Sequence, residues 1–117
     1  MVKVDVLAID DADVSTAVQF IREHACEGIK VEDVLAVVPL SRRMLEARFK
    51  KLLGVTPHQE ISRLQIDRLK QLLVETDLSL QHLAPLAGFK HVEYLSVAFK
   101  RATAQTPARF RRQHRSG

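Results

Sequence analysis

The stretch Ser41-Arg42-Arg43-Met44-Leu45-Glu46-Ala47-Arg48-Phe49-Lys50-Lys51 gathers guanidinium, ammonium and carboxylate groups at short spacing. A guanidinium is a rigid fork that pairs bidentately with a carboxylate, a phosphate or the O6/N7 edge of guanine. A glutamate accepts from an exocyclic amine, and a lysine serves as a point charge. Fifty residues on, His91-Val92-Glu93-Tyr94-Leu95-Ser96-Val97-Ala98-Phe99-Lys100-Arg101 repeats the layout with fewer hydrogen-bonding groups. These are recognition chemistries rather than bond-making ones. The five histidines pair neither with one another nor with Cys26 at a metal-ligand spacing, so no metal is expected. There is no glycine-rich phosphate loop, no Gly-x-Ser-x-Gly elbow and no convincing carboxylate pair; neither an enzyme nor a cofactor is expected. Glu23 and Glu27 disfavour a thiolate at Cys26, which reads as a structural thiol.

The net charge of +4 conceals an asymmetry. Up to Leu40 three basic residues face eight acidic ones; from Ser41 onward 15 basic residues face 6 acidic ones. An acidic lead-in followed by a basic body fits either a phosphate-binding surface or a solvated charged one. With 46% hydrophobic residues and four each of glycine and proline, the chain reads as globular. No apolar run approaches the roughly 20 residues that span a bilayer. The N-terminus carries an acidic segment, Asp5 to Asp13, rather than a secretory signal. One cysteine permits no internal disulfide, which places the chain in a reducing cytoplasm, associated with the nucleoid if it binds DNA.

The elements that must carry these side chains read as helices. Residues 1–12, including Val2 to Leu7, form a tail or linker. Asp13 is the expected cap of a first helix with Ala17, Val18, Ile21 and Ala25 inside, stopped by Gly28. A second helix carries Val31, Val34, Leu35 and Val38 and ends at Pro39. Ser41 caps a third with Leu45, Phe49 and Leu52 inside, closed by Gly54. Thr56-Pro57 opens a long helix of about 18 residues, about 27 Å, through Ile61, Leu64, Leu69, Leu72 and Leu73. Ser79 caps a fifth helix with Leu80, Leu83, Ala84 and Ala87 inside, ended by Gly88. A sixth begins near Val92 with a Leu95, Phe99, Ala102 stripe, and Thr106-Pro107 opens a last one anchored by Phe110. Seven helices and no strand make an all-α fold.

The two charged stretches are copies of one unit. Leu45/Phe49 and Leu95/Phe99 stand four apart; each Phe is followed by two basic residues and, seven positions on, by Thr-Pro. The preceding helices match at an offset of 49, pairing Val31, Val34, Leu35 and Val38 with Leu80, Leu83, Ala84 and Ala87. A short helix, a tight turn and a longer helix is a helix-turn-helix, whose second helix enters the major groove. The domain plan is thus 13–55 for the first subdomain, 56–75 for the linker helix, and 76–117 for the second subdomain with its basic tail. The rod suits successive major grooves, about 34 Å apart, so a monomer can address two adjacent sites.

Helical geometry then assigns faces. Candidate base contacts are Arg42, Arg43, Glu46 and Ala47 in the first unit and Val92, Glu93, Ser96 and Val97 in the second. Arg42 and Arg43 suit guanine or else phosphate; Glu46 suits a cytosine amine or else an intrahelical partner, Arg42 or Lys50; Val97 suits a thymine methyl. Ser41, Lys50, Lys51, Lys90, His91, Lys100 and Arg101 are candidate phosphate contacts. Arg109, Arg111, Arg112 and Arg115 form a basic tail, read as solvated or touching DNA. A helical protein-interaction module and a non-specific nucleic-acid binder are the alternatives.

The pattern Ser41…Leu45…Phe49-Lys50…Gly54…Thr56-Pro57, then Gly88-Phe89…Tyr94-Leu95…Phe99-Lys100…Thr106-Pro107…Phe110-Arg111, resembles the AraC/XylS family of transcription regulators from about Asp13 to Arg112. His24 to Val31 and Ser41 to Lys50 are most similar to its xylose-operon group. The resemblance implies two helix-turn-helix subdomains on a long helix, promoter DNA as partner, and activation of sugar catabolism with RNA polymerase as a second partner. It also implies a sugar effector bound by a separate N-terminal domain, so the chain reads as the C-terminal part of a longer regulator. The module alone is expected to be monomeric, and the intact protein is a candidate dimer. Three departures stand out. Pro39 replaces a favoured glycine in the first turn, and Ala104 replaces the second-repeat counterpart of Gly54. Ala47 and Val97 occupy positions where many members carry a base-reading arginine, which shifts direct readout towards Arg42, Arg43 and Glu46.

Overall fold

Five helices begin behind a side chain that accepts from the free N–H groups of the first turn, namely Asp11, Ser41, Thr56, Ser79 and Thr106, whereas the starts behind Lys30 and His91 have no such cap. In the computed structural model, which describes residues 10–115, α1 (Ala12–His24) starts behind Asp11. The Asp11 carboxylate accepts from the N–H groups of Asp13 and Val14, both at 3.1 Å. The cap is therefore Asp11 rather than Asp13, which sits in the first turn where negative charge complements the helix dipole. Of the expected tail, residues 1–9 (with Val2 to Leu7) lie outside the described residues, and Ala12 already belongs to α1. α1 passes into one 3-10 turn, Ala25–Glu27, that ends at Gly28 with φ of 86°.

α2 (Val31–Leu35) is shorter than its apolar pattern suggests. Pro39 has no N–H to give the Leu35 carbonyl, and its ring disfavours helical geometry at Val38, so the last full turn closes at Ala36. A tighter bond from the Val37 N–H to the Val34 carbonyl (3.1 Å) finishes it. Ala36 keeps right-handed geometry, and the only positive φ values among the described residues belong to Gly28, Gly54, Gly88 and Ala104. The Pro39 turn is thus rebuilt without a left-handed residue.

Next come α3 (Arg42–Leu53), α4 (Pro57–Glu75), α5 (Leu80–Ala87), α6 (Val92–Thr103) and α7 (Pro107–Arg115). Among the described residues there are seven α-helices and no strand. Ser41 caps α3 by accepting from the Met44 N–H at 3.1 Å. α4 opens with a reciprocal box: Thr56 Oγ1 accepts from the Gln59 N–H (3.1 Å), and Gln59 Oε1 accepts from the Thr56 N–H (2.9 Å). α5 ends at Gly88 (φ 93°), with the Phe89 N–H donating back to the Ala84 carbonyl at 2.8 Å.

The chain divides into two compact units. One comprises the described residues up to Ala25 with Ile29–Ser62; the other comprises Cys26–Gly28 with Arg63 onward, so α4 contributes to both. In the first unit α1 packs on α2 and α3, burying Val14, Val18, Ile21, Val34, Leu45 and Phe49. In the second, Ile66, Leu69, Leu72 and Leu73 of α4 pack with Leu83, Ala84, Ala87, Phe89, Leu95 and Phe99, and Phe110 closes edge-on over Phe99 at 5.4 Å. Removing either fully buried Phe49 or Phe99 side chain is worth about 3–5 kcal/mol. Leu52 and Ala102, expected inside, are exposed; the half-buried Leu53 and Thr103, one residue further round each helix, turn inward instead.

Candidate nucleic-acid interface

In the first unit, burying Leu45 and Phe49 leaves Arg42, Arg43, Ala47 and Lys50 exposed on the opposite face of α3, with Glu46 half-buried among them. Arg42, at the first helical position, pairs with Glu32 of α2, and its Nη1 lies 3.7 Å from Glu46 Oε2. Of the two partners open to Glu46, Arg42 is thus one it takes. With all three side chains about half exposed or more, each pair contributes about 0–1 kcal/mol to stability; its significance is where it holds the groups. Ser41 is exposed as the cap, and Lys50 and Lys51 stand in the last turn, where cations complement the helix dipole.

In the second unit Leu95 and Phe99 turn inward and α6 presents Glu93, Val97 and Lys100, with Val92 and Ser96 half-buried beside them. Val97 is 53% exposed, an aliphatic side chain at the centre of that face. Lys90, His91 and Arg101 are exposed at its two ends. An open groove of about 610 Å³ runs along the turn into α6, bordered by Gln81, Pro85, Lys90, His91, Val92 and Glu93. Each unit therefore brings its own candidate base and phosphate contacts onto one helix and its flanks.

Several charged residues that spacing did not assign have structural work. Arg48 reaches Asp11 (3.7 Å) and Asp13 (4.0 Å), tying α3 to the start of α1. The basic tail is not simply solvated. Arg111 Nε donates to the Leu73 carbonyl (3.0 Å), and Arg115 donates to the Thr76 carbonyl (3.1 Å) and to the Asp77 carboxylate. These guanidiniums satisfy carbonyls at the end of α4, while Arg109 and Arg112 stay exposed. The Arg115 hydrogen bond and charge, helped by Arg111, hold the Asp77 carboxyl below its usual range. Burial pushes the half-buried Cys26 thiol up, against a smaller opposing pull from Arg68. Its Sγ lies 3.9 Å from the Leu64 carbonyl, a structural placement. Among the described residues no three His, Cys, Asp or Glu side chains gather as a metal group. No described helix is long and apolar enough to cross a membrane.

Two helix-turn-helix units, each with an exposed face on its second helix, define a DNA-binding domain, and residues 34–113 match the family described as "Helix-turn-helix domain", to which the chain belongs. It is of the AraC type. Over 107 residues it is 37% identical to the "Xylose operon regulatory protein" of Escherichia coli strain K12, covering 92% of this chain and 27% of that protein. It is 30% identical over 108 residues to the "HTH-type transcriptional activator RhaS" of Enterobacter sp. strain 638, covering 92% of this chain and 39% of that one. The chain thus spans between a quarter and two-fifths of the length of these curated relatives. The DNA-binding domain of AdpA, a global transcriptional factor, in complex with a target DNA superposes with a TM-score of 0.82 at 29% identity, covering 89% of this chain and 94% of that one. The C-terminal domain of AraT, a response regulator from Geobacillus stearothermophilus, gives 0.83 at 26% identity, covering 88% and 86%.

Proposed function

We propose that this domain is the sequence-reading part of a bacterial activator of sugar catabolism, with each unit taking one half-site of a promoter. The observation that carries the reading is the duplicated unit: two twelve-residue helices, each with Leu and Phe buried on one side and polar or basic side chains exposed on the other. Arg43 is the principal base-reading group, since Arg42 is engaged by two carboxylates. Glu46 reads an exocyclic amine, Ala47 allows close approach, and Val92, Glu93, Ser96 and Val97 make a more apolar second reader. Ser41, Lys50, Lys51, Lys90, His91, Lys100 and Arg101 set register on phosphates.

The 37% identity to xylose operon regulatory proteins supports a xylose-like sugar as the signal, sensed by another part of the regulator. RNA polymerase is the second partner, the site of action is the nucleoid, and the domain acts as a monomer even where the intact regulator dimerises. Selection from a random duplex library tests the reading. Enrichment of a two-part motif, the more tightly defined part lost with Arg43→Ala, is expected. A pool without a motif after repeated rounds reduces the domain to a non-specific basic surface.

A further inference from the structure

The first unit engages one of its arginines before any nucleic acid arrives. The Arg42 guanidinium bridges two carboxylates, Glu32 from α2 and Glu46 one turn further along α3. All three side chains are between 44% and 65% exposed, so the cluster stands at the edge of the reading face and not in the core. The internal repeat supplies a comparison. At the offsets that align the two units, Glu32, Arg42 and Glu46 fall on Gln81, Val92 and Ser96, all of them neutral. In the second unit Gln81 and Val92 border the open groove instead. One charge of this set without the others would leave a carboxylate facing phosphates, or a guanidinium free to bind any of them. Three charges together in one unit and none in the other is the pattern of a single device.

We propose that Glu32, which lies outside the reading helix, is a specificity-determining positioning residue. With Glu46 it holds the Arg42 guanidinium away from DNA phosphates. Arg42 in turn fixes the Glu46 carboxylate, leaving Oε1 to accept from a cytosine or adenine amino group in the major groove. The inference rests on the proposed DNA-reading role of α3. A released Arg42 neutralises a phosphate whatever the sequence, so Glu32 lowers non-specific affinity and leaves discrimination to Arg43 and Glu46.

Fluorescence anisotropy of the full chain tests this, on a random-sequence duplex and on a duplex obtained by selection, over a salt series. Glu32→Gln is expected to tighten random-duplex binding about threefold and to steepen the log–log salt slope by about 0.9, one extra phosphate neutralised. The preference for the selected duplex falls correspondingly. Glu32→Asp, which keeps a carboxylate within reach of the long arginine side chain, retains the original slope and preference. Glu32→Gln combined with Arg42→Gln loses the gain. An unchanged slope and preference in Glu32→Gln overturns the proposal. So does a gain that persists in the double variant, which would reduce Glu32 to generic charge repulsion. Absence of binding to any duplex by the unaltered chain removes the DNA-reading proposal itself, and this one with it.

Discussion

Ala104 and Gly54 occupy the same place in the two repeats, and exchanging their residue types should move stability in opposite directions. Gly54 ends α3 at φ 78°, ψ 0°, its N–H donating to the Lys50 carbonyl; Ala104 ends α6 at φ 63°, ψ 15°, its N–H donating to the Lys100 carbonyl. Both bonds are 2.8 Å. In left-handed geometry an L-residue with a Cβ carries about 1–2 kcal/mol of steric cost that glycine escapes. Glycine's extra freedom in the unfolded chain offsets about 0.4–1 kcal/mol of that gain. Nothing lies within 4 Å of a Cβ built on Gly54, so no packing term complicates the first site. Ala104→Gly should therefore stabilise the protein, and Gly54→Ala destabilise it, by about 0.5–1 kcal/mol each. Urea unfolding followed by circular dichroism reads this as opposite shifts of the midpoint at constant m. A lowered midpoint in Ala104→Gly, or an unchanged one in Gly54→Ala, would show that something other than backbone geometry separates these two helix ends.

Three further outcomes follow from particular contacts. Replacing thymine by deoxyuracil across the second half-site should weaken binding, and Val97→Ala should abolish that sensitivity; equal sensitivity in the variant would remove Val97 as the methyl-reading group. Because its folded pKa is depressed, the stabilisation from Asp77 is present above the ordinary carboxylate pKa, about 4, and is lost as pH falls through the folded value. Carboxyl NMR should place its midpoint below that of an unfolded peptide, and Arg115→Gln should raise it; a midpoint indifferent to Arg115 contradicts the pairing. The Cys26 thiol should react with a disulfide reagent more slowly in the folded chain than in urea at neutral pH, and more slowly still in Arg68→Gln, where the charge favouring thiolate is gone. Faster reaction in that variant would show that access rather than ionisation controls the thiol.

The duplicated unit was legible because its markers are local: Leu and Phe four apart, a capping Ser41, Thr-Pro restarts, and glycines where helices end. Contacts between elements were not. Arg42 and Glu32 are ten residues apart on different helices, and Arg111 and Arg115 reach carbonyls 38 and 39 residues away, distances at which helical period carries no information. Asp11 and Asp13 both look like caps, and only the backbone shows which carboxylate meets the free N–H groups. The length of α2 depended on which residue Pro39 deprives of a hydrogen bond, a boundary effect that an apolar pattern running to Val38 overrides on paper. Leu52 and Ala102 fell on the expected stripe yet stand exposed, because Leu53 and Thr103, four residues past each Phe rather than three, take the inward position.

Whether α3 and α6 read base sequence on duplex DNA is decided by titrating the chain against a selected duplex with random-sequence duplex as competitor. The prediction is binding to the selected duplex about a thousandfold or more tighter than to competitor. Arg43→Ala should reduce that preference at particular base pairs while leaving the salt slope within about one phosphate of its original value. Equal affinity for both duplexes, or an Arg43→Ala variant weakened evenly across all sequences, would contradict base reading by these helices.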